Sequence, residues 1–148
     1  MYTSVRTTRV QEVFDIAIHL MDEQNETNGQ TVTSDTNEYK VRTISILNAI
    51  IPSLYPYSDN YDTDVPGRPI VHPLLVDNYA QPDFTQLIPL DDTLSRGVLP
   101  YGLAAHLLAG ENEELSAWMM QRFNMAFADL RNKIPGEWEP INLPYGTF

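Results

Sequence analysis

The run Leu90-Asp-Asp-Thr-Leu-Ser-Arg-Gly-Val-Leu-Pro-Tyr-Gly-Leu-Ala-Ala-His-Leu-Leu-Ala109, the turn Gly110-Glu-Asn112 and the second helical run that ends at Lys133 decide the fold. Leu99, Leu103 and Leu107 form one ridge, and Ala104 and Leu108 the next, which is the three-and-four spacing of a helix. Asp91 or Asp92 is placed to cap its start, where a carboxylate suits the positive end of the helix. Pro100 would cost on the order of 3 kcal/mol in an undistorted helix, so a kink is expected between Gly97 and Gly102. Gly102, Ala104 and Ala105 are small enough to let a second backbone approach closely. Gly110 is expected to end this helix in the left-handed conformation, and Asn112 to cap the next. Leu115, Met119, Phe123, Ala126 and Leu130 then make a stripe flanked by Trp118, Met125 and Phe127. A connection this short predicts an antiparallel pair of helices over 91–109 and 112–133.

Working outward, Val10, Val13, Phe14, Ala17, Leu20 and Met21 recur at helical spacing and predict a first helix over 7–22. Thr8 and Gln11 have the spacing of a capping box. A polar stretch from Glu23 to Thr36 reads as a loop. The second helix is expected over 36–55, with Tyr39, Thr43, Ile46, Leu47, Ile50 and Leu54 on one face and Val41, Ile44 and Ile51 on another. Two apolar faces predict a central helix with partners on both sides, and Pro52 should bend or end its last turn.

Residues 56–90 contain Pro56, Pro66, Pro69, Pro73, Pro82 and Pro89 and no helical period. Within them, Pro69-Ile-Val-His-Pro-Leu-Leu-Val76 suits one or two short strands that its prolines confine to an edge, so an irregular or β-hairpin arm is expected. The segment 134–148 is broken by Pro135, Pro140 and Pro144, yet Ile141, Leu143 and Tyr145 alternate as in an extended strand. Burying those three side chains yields roughly 5–8 kcal/mol. Ordering about twelve residues costs roughly 12–24 kcal/mol in backbone entropy. Strand addition to a neighbouring chain resolves the deficit, and folding back on the chain's own helices remains the alternative.

The bulk composition, 148 residues with 43% hydrophobic content, suits one domain with a single core. No apolar run approaches the roughly 18 residues that span a bilayer, and the N-terminal residues lack the apolar region of a secretory signal. Without cysteine there is no disulfide, thiolate catalysis or zinc–thiolate site, which fits a cytosolic product. The formal charge is −11, and over residues 55–92 Asp59, Asp62, Asp64, Asp77, Asp83, Asp91 and Asp92 stand against Arg68 alone. Such a surface repels a phosphate backbone, which argues against adhesive nucleic-acid binding.

Catalytic signatures are lacking. His19, His72 and His106 fall in separate elements with no metal-binding spacing. Asn60, Asp62 and Asp64 have the one-three-five spacing of a calcium loop, but Val65 and Val71 occupy the positions that need glycine and glutamate. Asp91/Asp92 and Glu113/Glu114 fall at helix starts, where capping accounts for them. The expectation is therefore no enzyme, no cofactor and no metal. The alternative is a small metal-binding helical enzyme using Asp59, Asp62 and Asp64 with His72.

The helix ending Leu20-Met-Asp22, the helix Tyr39-Lys-Val-Arg-Thr-Ile-Ser-Ile-Leu-Asn-Ala49 leading to Leu54-Tyr-Pro-Tyr-Ser-Asp59, and the run from Leu90-Asp-Asp92 through Pro100-Tyr-Gly-Leu-Ala-Ala105 to Leu130 resemble a known pattern. It is that of the head–tail connector, or adaptor, proteins of tailed bacteriophages, of the kind found in prophages of Gram-positive bacteria. The resemblance spans most of the chain and is one of pattern. It implies a mainly α fold and a structural virion protein of the neck, made in the host cytoplasm. It further implies a homo-oligomeric ring, typically of twelve copies, between the portal protein and a downstream neck or tail protein, with DNA passing through the channel unbound. A stopper or tail-completion protein of the same neck is the alternative.

The expected architecture is thus a mainly α, four-helix bundle-like single domain with an arm at 56–90 and an extended tail at 134–148. Candidate contacts to other chains are Trp138, Ile141, Leu143, Tyr145 and Phe148 in the tail and Ile70, Val71, Leu74 and Leu75 in the arm.

Overall fold

The computed structural model describes residues 6–22, 27–33, 36–58, 74–78 and 81–133, with side chains up to residue 130. These residues are mainly α-helical and contain no β-strand, only one isolated antiparallel bridge between Arg9 and Leu87. In chain order they form α1 (Val10–Met21), α2 (Asn37–Leu54) with a 3-10 turn (Tyr55–Tyr57), α3 (Asp92–Gly97), α4 (Leu99–Leu108) and α5 (Glu113–Lys133).

The centre of the packing is α4, not α2 as its two apolar faces suggested. Of its ten residues only Tyr101 and His106 escape burial, and it touches α1, α2, α3 and α5. A helix apolar all round belongs inside. Around it, Val10, Val13, Phe14, Ala17 and Ile18 of α1 and Ile44, Leu47, Ile51 and Leu54 of α2 are wholly buried. The second face of α2 is only partly used: Ile44 and Ile51 are buried while Val41 is exposed. Pro52 leaves α2 intact to Leu54, after which the chain tightens into the 3-10 turn.

Pro100 divides the expected third helix. The break falls at Val98 (φ −120°, ψ −50°), and Pro100 becomes the second residue of α4, where no intrahelical N–H is needed. Asp91 caps α3 as expected, its carboxylate accepting from Leu94 N–H at 3.0 Å. Asn112 caps α5 through Leu115 N–H at 3.0 Å. Gly110 does not take up the left-handed conformation: the turn is closed instead by Glu111 and Asn112 N–H, which both donate to the Leu108 carbonyl at 3.0 and 2.9 Å.

In the α4–α5 pair the Ser116 hydroxyl donates to the Ala105 carbonyl at 2.7 Å, and Gly102 lies under the Phe123 ring. These two contacts, one near the turn and one further out, set the helices antiparallel. A Cβ on Gly102 would stand 2.9 Å from two Phe123 ring carbons and 3.2 Å from Ile50 Cδ1. Gly102→Val is expected to force the helices apart and lower stability by about 1–3 kcal/mol in thermal melting.

At the N-terminus the expected capping box does not form. Val10 and Gln11 N–H donate to the Gln86 and Phe84 carbonyls, both at 3.0 Å, so a distant backbone satisfies the first turn of α1. The Thr8 hydroxyl is taken by Asp92 at 2.8 Å. That carboxylate also accepts from Thr8 N–H at 3.0 Å and from Thr7 N–H and hydroxyl at 2.8 and 2.7 Å. Partial burial pushes the Asp92 pKa up, but these hydrogen bonds outweigh it and bring it down to about 2. Arg96 completes the cluster, donating to the Thr8 hydroxyl at 3.0 Å and pairing with Glu12. Asp92→Ala is expected to cost about 1–2 kcal/mol in urea unfolding at pH 7, kept low because the site is open to water. The folded pKa lies below the unfolded one, so this contribution is complete above about pH 4 and is lost as pH falls toward 2. The gap between wild type and variant should close over that window.

Candidate functional site

Among the described residues no group of three or more His, Asp or Glu side chains could hold a metal. His106 is exposed on α4. On α1, His19 is exposed and sits beside an open polar depression lined by Gln11, Asp15, Asn28 and Thr31, its Nε2 3.3 Å from the Gly29 carbonyl. Asp15 in that depression is already engaged, accepting from Gln11 Nε2 at 2.7 Å and from the Thr31 hydroxyl at 2.5 Å. The calcium-like run Asn60, Asp62, Asp64, together with Asp59 and His72, lies outside the described residues.

Leu74, Leu75 and Val76 run without a strand partner, and two side-chain amides stand in for one. Asn48 on α2 accepts from Leu75 N–H at 2.8 Å and donates to its carbonyl at 3.0 Å. Gln86 does the same for Val76, at 2.7 and 2.8 Å. Each amide thus reproduces the donor–acceptor pair of a neighbouring peptide group. No β-strand forms among the described residues of this stretch, and 69–73 of the expected strand run lie outside them. Alternation survives: Leu75 is 6% exposed inside the core, whereas Leu74 and Val76 are 65% and 71% exposed. Of the candidate contact residues, Leu74 is thus free for another chain and Leu75 is used within this one. Ile70, Val71, Trp138, Ile141, Leu143, Tyr145 and Phe148 lie outside the described residues.

The second exposed surface is on α5, where sequence reasoning expected core. Met119 alone among its described side chains is fully buried, Leu115, Phe123, Ala126 and Leu130 are half-buried against the core, and Trp118 and Met125 are each 50% exposed. The signal was in the sequence: Trp118 and Met125 flank the stripe and widen it beyond what one partner helix covers. Arg122, one turn after Trp118, holds its guanidinium 5.6 Å from the Trp118 ring centroid and 5.8 Å from that of Tyr101 on α4. At the far side, Tyr57 packs edge-on against Phe127 at 5.0 Å, which ties α5 to the end of α2. The turn before α5 is tied as well, since the Tyr39 hydroxyl donates to Glu111. That bond leads the causes that hold the Glu111 carboxyl below the usual carboxylate range, with Glu38 and Arg42 adding to it.

Comparison with protein-family models, curated proteins and solved structures finds no match to this chain. Among the described residues no helix is long and apolar enough to cross a membrane.

Asn48→Ala removes both bonds to Leu75. It is expected to speed hydrogen exchange at the Leu75 amide about tenfold while leaving helix content unchanged by circular dichroism.

Proposed function

We propose that this chain is a structural protein of a tailed-bacteriophage neck, a head–tail connector that forms a ring beneath the portal and joins the head to the tail. The observation that carries the reading is α5, a helix packed on one side whose outer side presents Trp118 and Met125 half exposed. Exposed Leu74, Val76 and Leu87 add apolar surface beside the arm. Large apolar side chains exposed in this way are characteristic of contact surfaces between chains. The mainly helical body agrees with the resemblance read from Leu20-Met-Asp22, Tyr39 to Asp59 and Leu90 to Leu130.

In this reading the helices form a four-helix bundle-like body, with residues 56–90 as an arm and 134–148 as an extended tail. Identical copies join head to tail, which closes a ring when the rotation per copy allows it. The partners are the portal protein above and a neck or tail protein below. The formal charge of −11 suits a channel wall that DNA must slide past. The place of action is the virion.

Removing residues 137–148 is the direct test. The truncated chain is expected to keep its helix content by circular dichroism yet lose most ring or portal association in negative-stain electron microscopy. Normal assembly of the truncated chain with its portal would refute the part given to the tail. Single compact particles from the full chain, with or without portal, would refute the ring.

A further inference from the structure

Of the asparagines in the sequence only Asn28 precedes a glycine. Asn28, Gly29 and Gln30 are all exposed, in the loop that follows α1. Gly29 takes a φ of +72°, and a Cβ built on it would meet nothing within 4 Å, so its peptide nitrogen stands unshielded. Among the described residues the Gly29 N–H donates to no acceptor. The Asn28 side chain is folded over this same stretch, since its Oδ1 accepts from the Gln30 N–H at 3.0 Å. The peptide group that supplies that N–H carries the Gly29 carbonyl, which lies 3.3 Å from His19 Nε2. This contact assigns the ring proton to Nε2, so His19 donates. Two hydrogen bonds then run in series through one peptide group and end on Asn28 Oδ1. Bonds in series polarise one another, and this chain draws electrons from Asn28 Cγ. The other asparagines with described side chains are placed differently. Asn48 spends both ends of its amide on Leu75, Asn112 caps α5, and Asn37 and Asn124 lie inside helices ahead of Glu38 and Met125.

We propose that Asn28 is a self-modification site, where the chain converts its own asparagine to aspartate or isoaspartate with water as the only co-reactant and His19 promoting the step through Gly29 and Gln30. The Gly29 N–H gives its proton to solvent base, and the nitrogen attacks Asn28 Cγ. The new N–Cγ bond closes a succinimide while the Cγ–Nδ2 bond breaks, and the amide takes a proton back and leaves as ammonia. Water then opens the ring. Breaking the N–Cγ bond gives aspartate on an ordinary backbone. Breaking the bond from that nitrogen to the Asn28 main-chain carbonyl carbon gives isoaspartate, with one more carbon in the backbone. Nothing is oxidised or reduced. Either product adds a negative charge to the depression that Asn28 and Asp15 line together, where Asp15 holds the Thr31 hydroxyl. Two like charges in one depression repel, so the conversion loosens the loop 27–33 from α1 as the chain ages. The site does not depend on the ring reading above.

The test keeps the full chain in mildly alkaline buffer at physiological temperature and maps its peptides by mass spectrometry over time, chromatography separating aspartate from isoaspartate. Position 28 is expected to gain the mass of an amide-to-acid conversion about tenfold or more faster than Asn48, Asn112 or Asn124. Gly29→Ala should slow the conversion about tenfold, and His19→Phe about twofold. The direction of the His19 effect separates promotion from mere support. Loosening the loop would speed ring closure, whereas losing the hydrogen-bonded chain slows it. Circular dichroism checks that each variant keeps its helices. An Asn28 that lasts as long as the helical asparagines overturns the site. Equal conversion in Gly29→Ala overturns the succinimide route. Equal or faster conversion in His19→Phe overturns the role given to His19.

Discussion

The Asp92 carboxylate takes four hydrogen bonds from Thr7 and Thr8, residues more than eighty positions away in the chain, and so joins the start of α3 to the start of α1. It fixes where the chain enters α1 relative to where it enters α3. The backbone pairing of residues 8–11 with 84–88 continues the same seam, so the first turn of α1 is completed by carbonyls of a later segment. On the other side of the seam Asp91 caps α3 and its own N–H donates to the Ser58 hydroxyl at 3.3 Å, bringing in the end of α2. Two adjacent acids thus divide the work. Asp91 satisfies local end groups, and Asp92 sets the long-range register against which α4 is buried.

The seam also explains which sequence signals held. Helical periods were legible because they report burial of a face: α1, α2 and α5 fall within three residues of the expected bounds, whereas the helix expected over 91–109 is divided into α3 and α4. Pro100 was legible as a disturbance, and its physical outcome, a new helix start after Val98, follows from the N–H that proline lacks. The Thr8–Gln11 box misled because a capping motif is a local competition: the Thr8 hydroxyl accepts from Arg96 and donates to Asp92, while Gln11 N–H goes to the Phe84 carbonyl. The rank of α2 and α4 was inverted for a related reason. A pattern of apolar residues says that a face is covered, but not how many partners cover it.

The hold on Leu75 and Val76 was not legible at all. Asn48 and Gln86 carry no periodicity, and an amide inside a helix or a loop looks like any solvated polar residue. Only when the extended segment is set beside them does each amide become a substitute peptide group. This bracket leaves the side chains of Leu74 and Val76 turned outward. The exposed apolar surface is thus held in place by polar contacts, and its position does not depend on its own burial.

The same separation governs α5. Its inner side is anchored at both ends, by Ser116 and Asn112 near the turn and by Phe127 against Tyr57 beyond. None of those contacts uses Trp118, Arg122 or Met125. The outer side therefore adds little to the stability of the single chain, and its residues are set by α4 and α5 without being needed by them. In the proposed ring of identical copies such a surface would have a definite advantage. Each junction need only be modest, because closing the ring makes every copy hold two neighbours at once and turns the last contact into an intramolecular one. A strong junction between two copies would trap open chains, whereas weak junctions on a rigid helix allow incorrect ones to dissociate. For the proposed ring, a helix face already held by α4 would meet that requirement better than a surface that must fold as it binds.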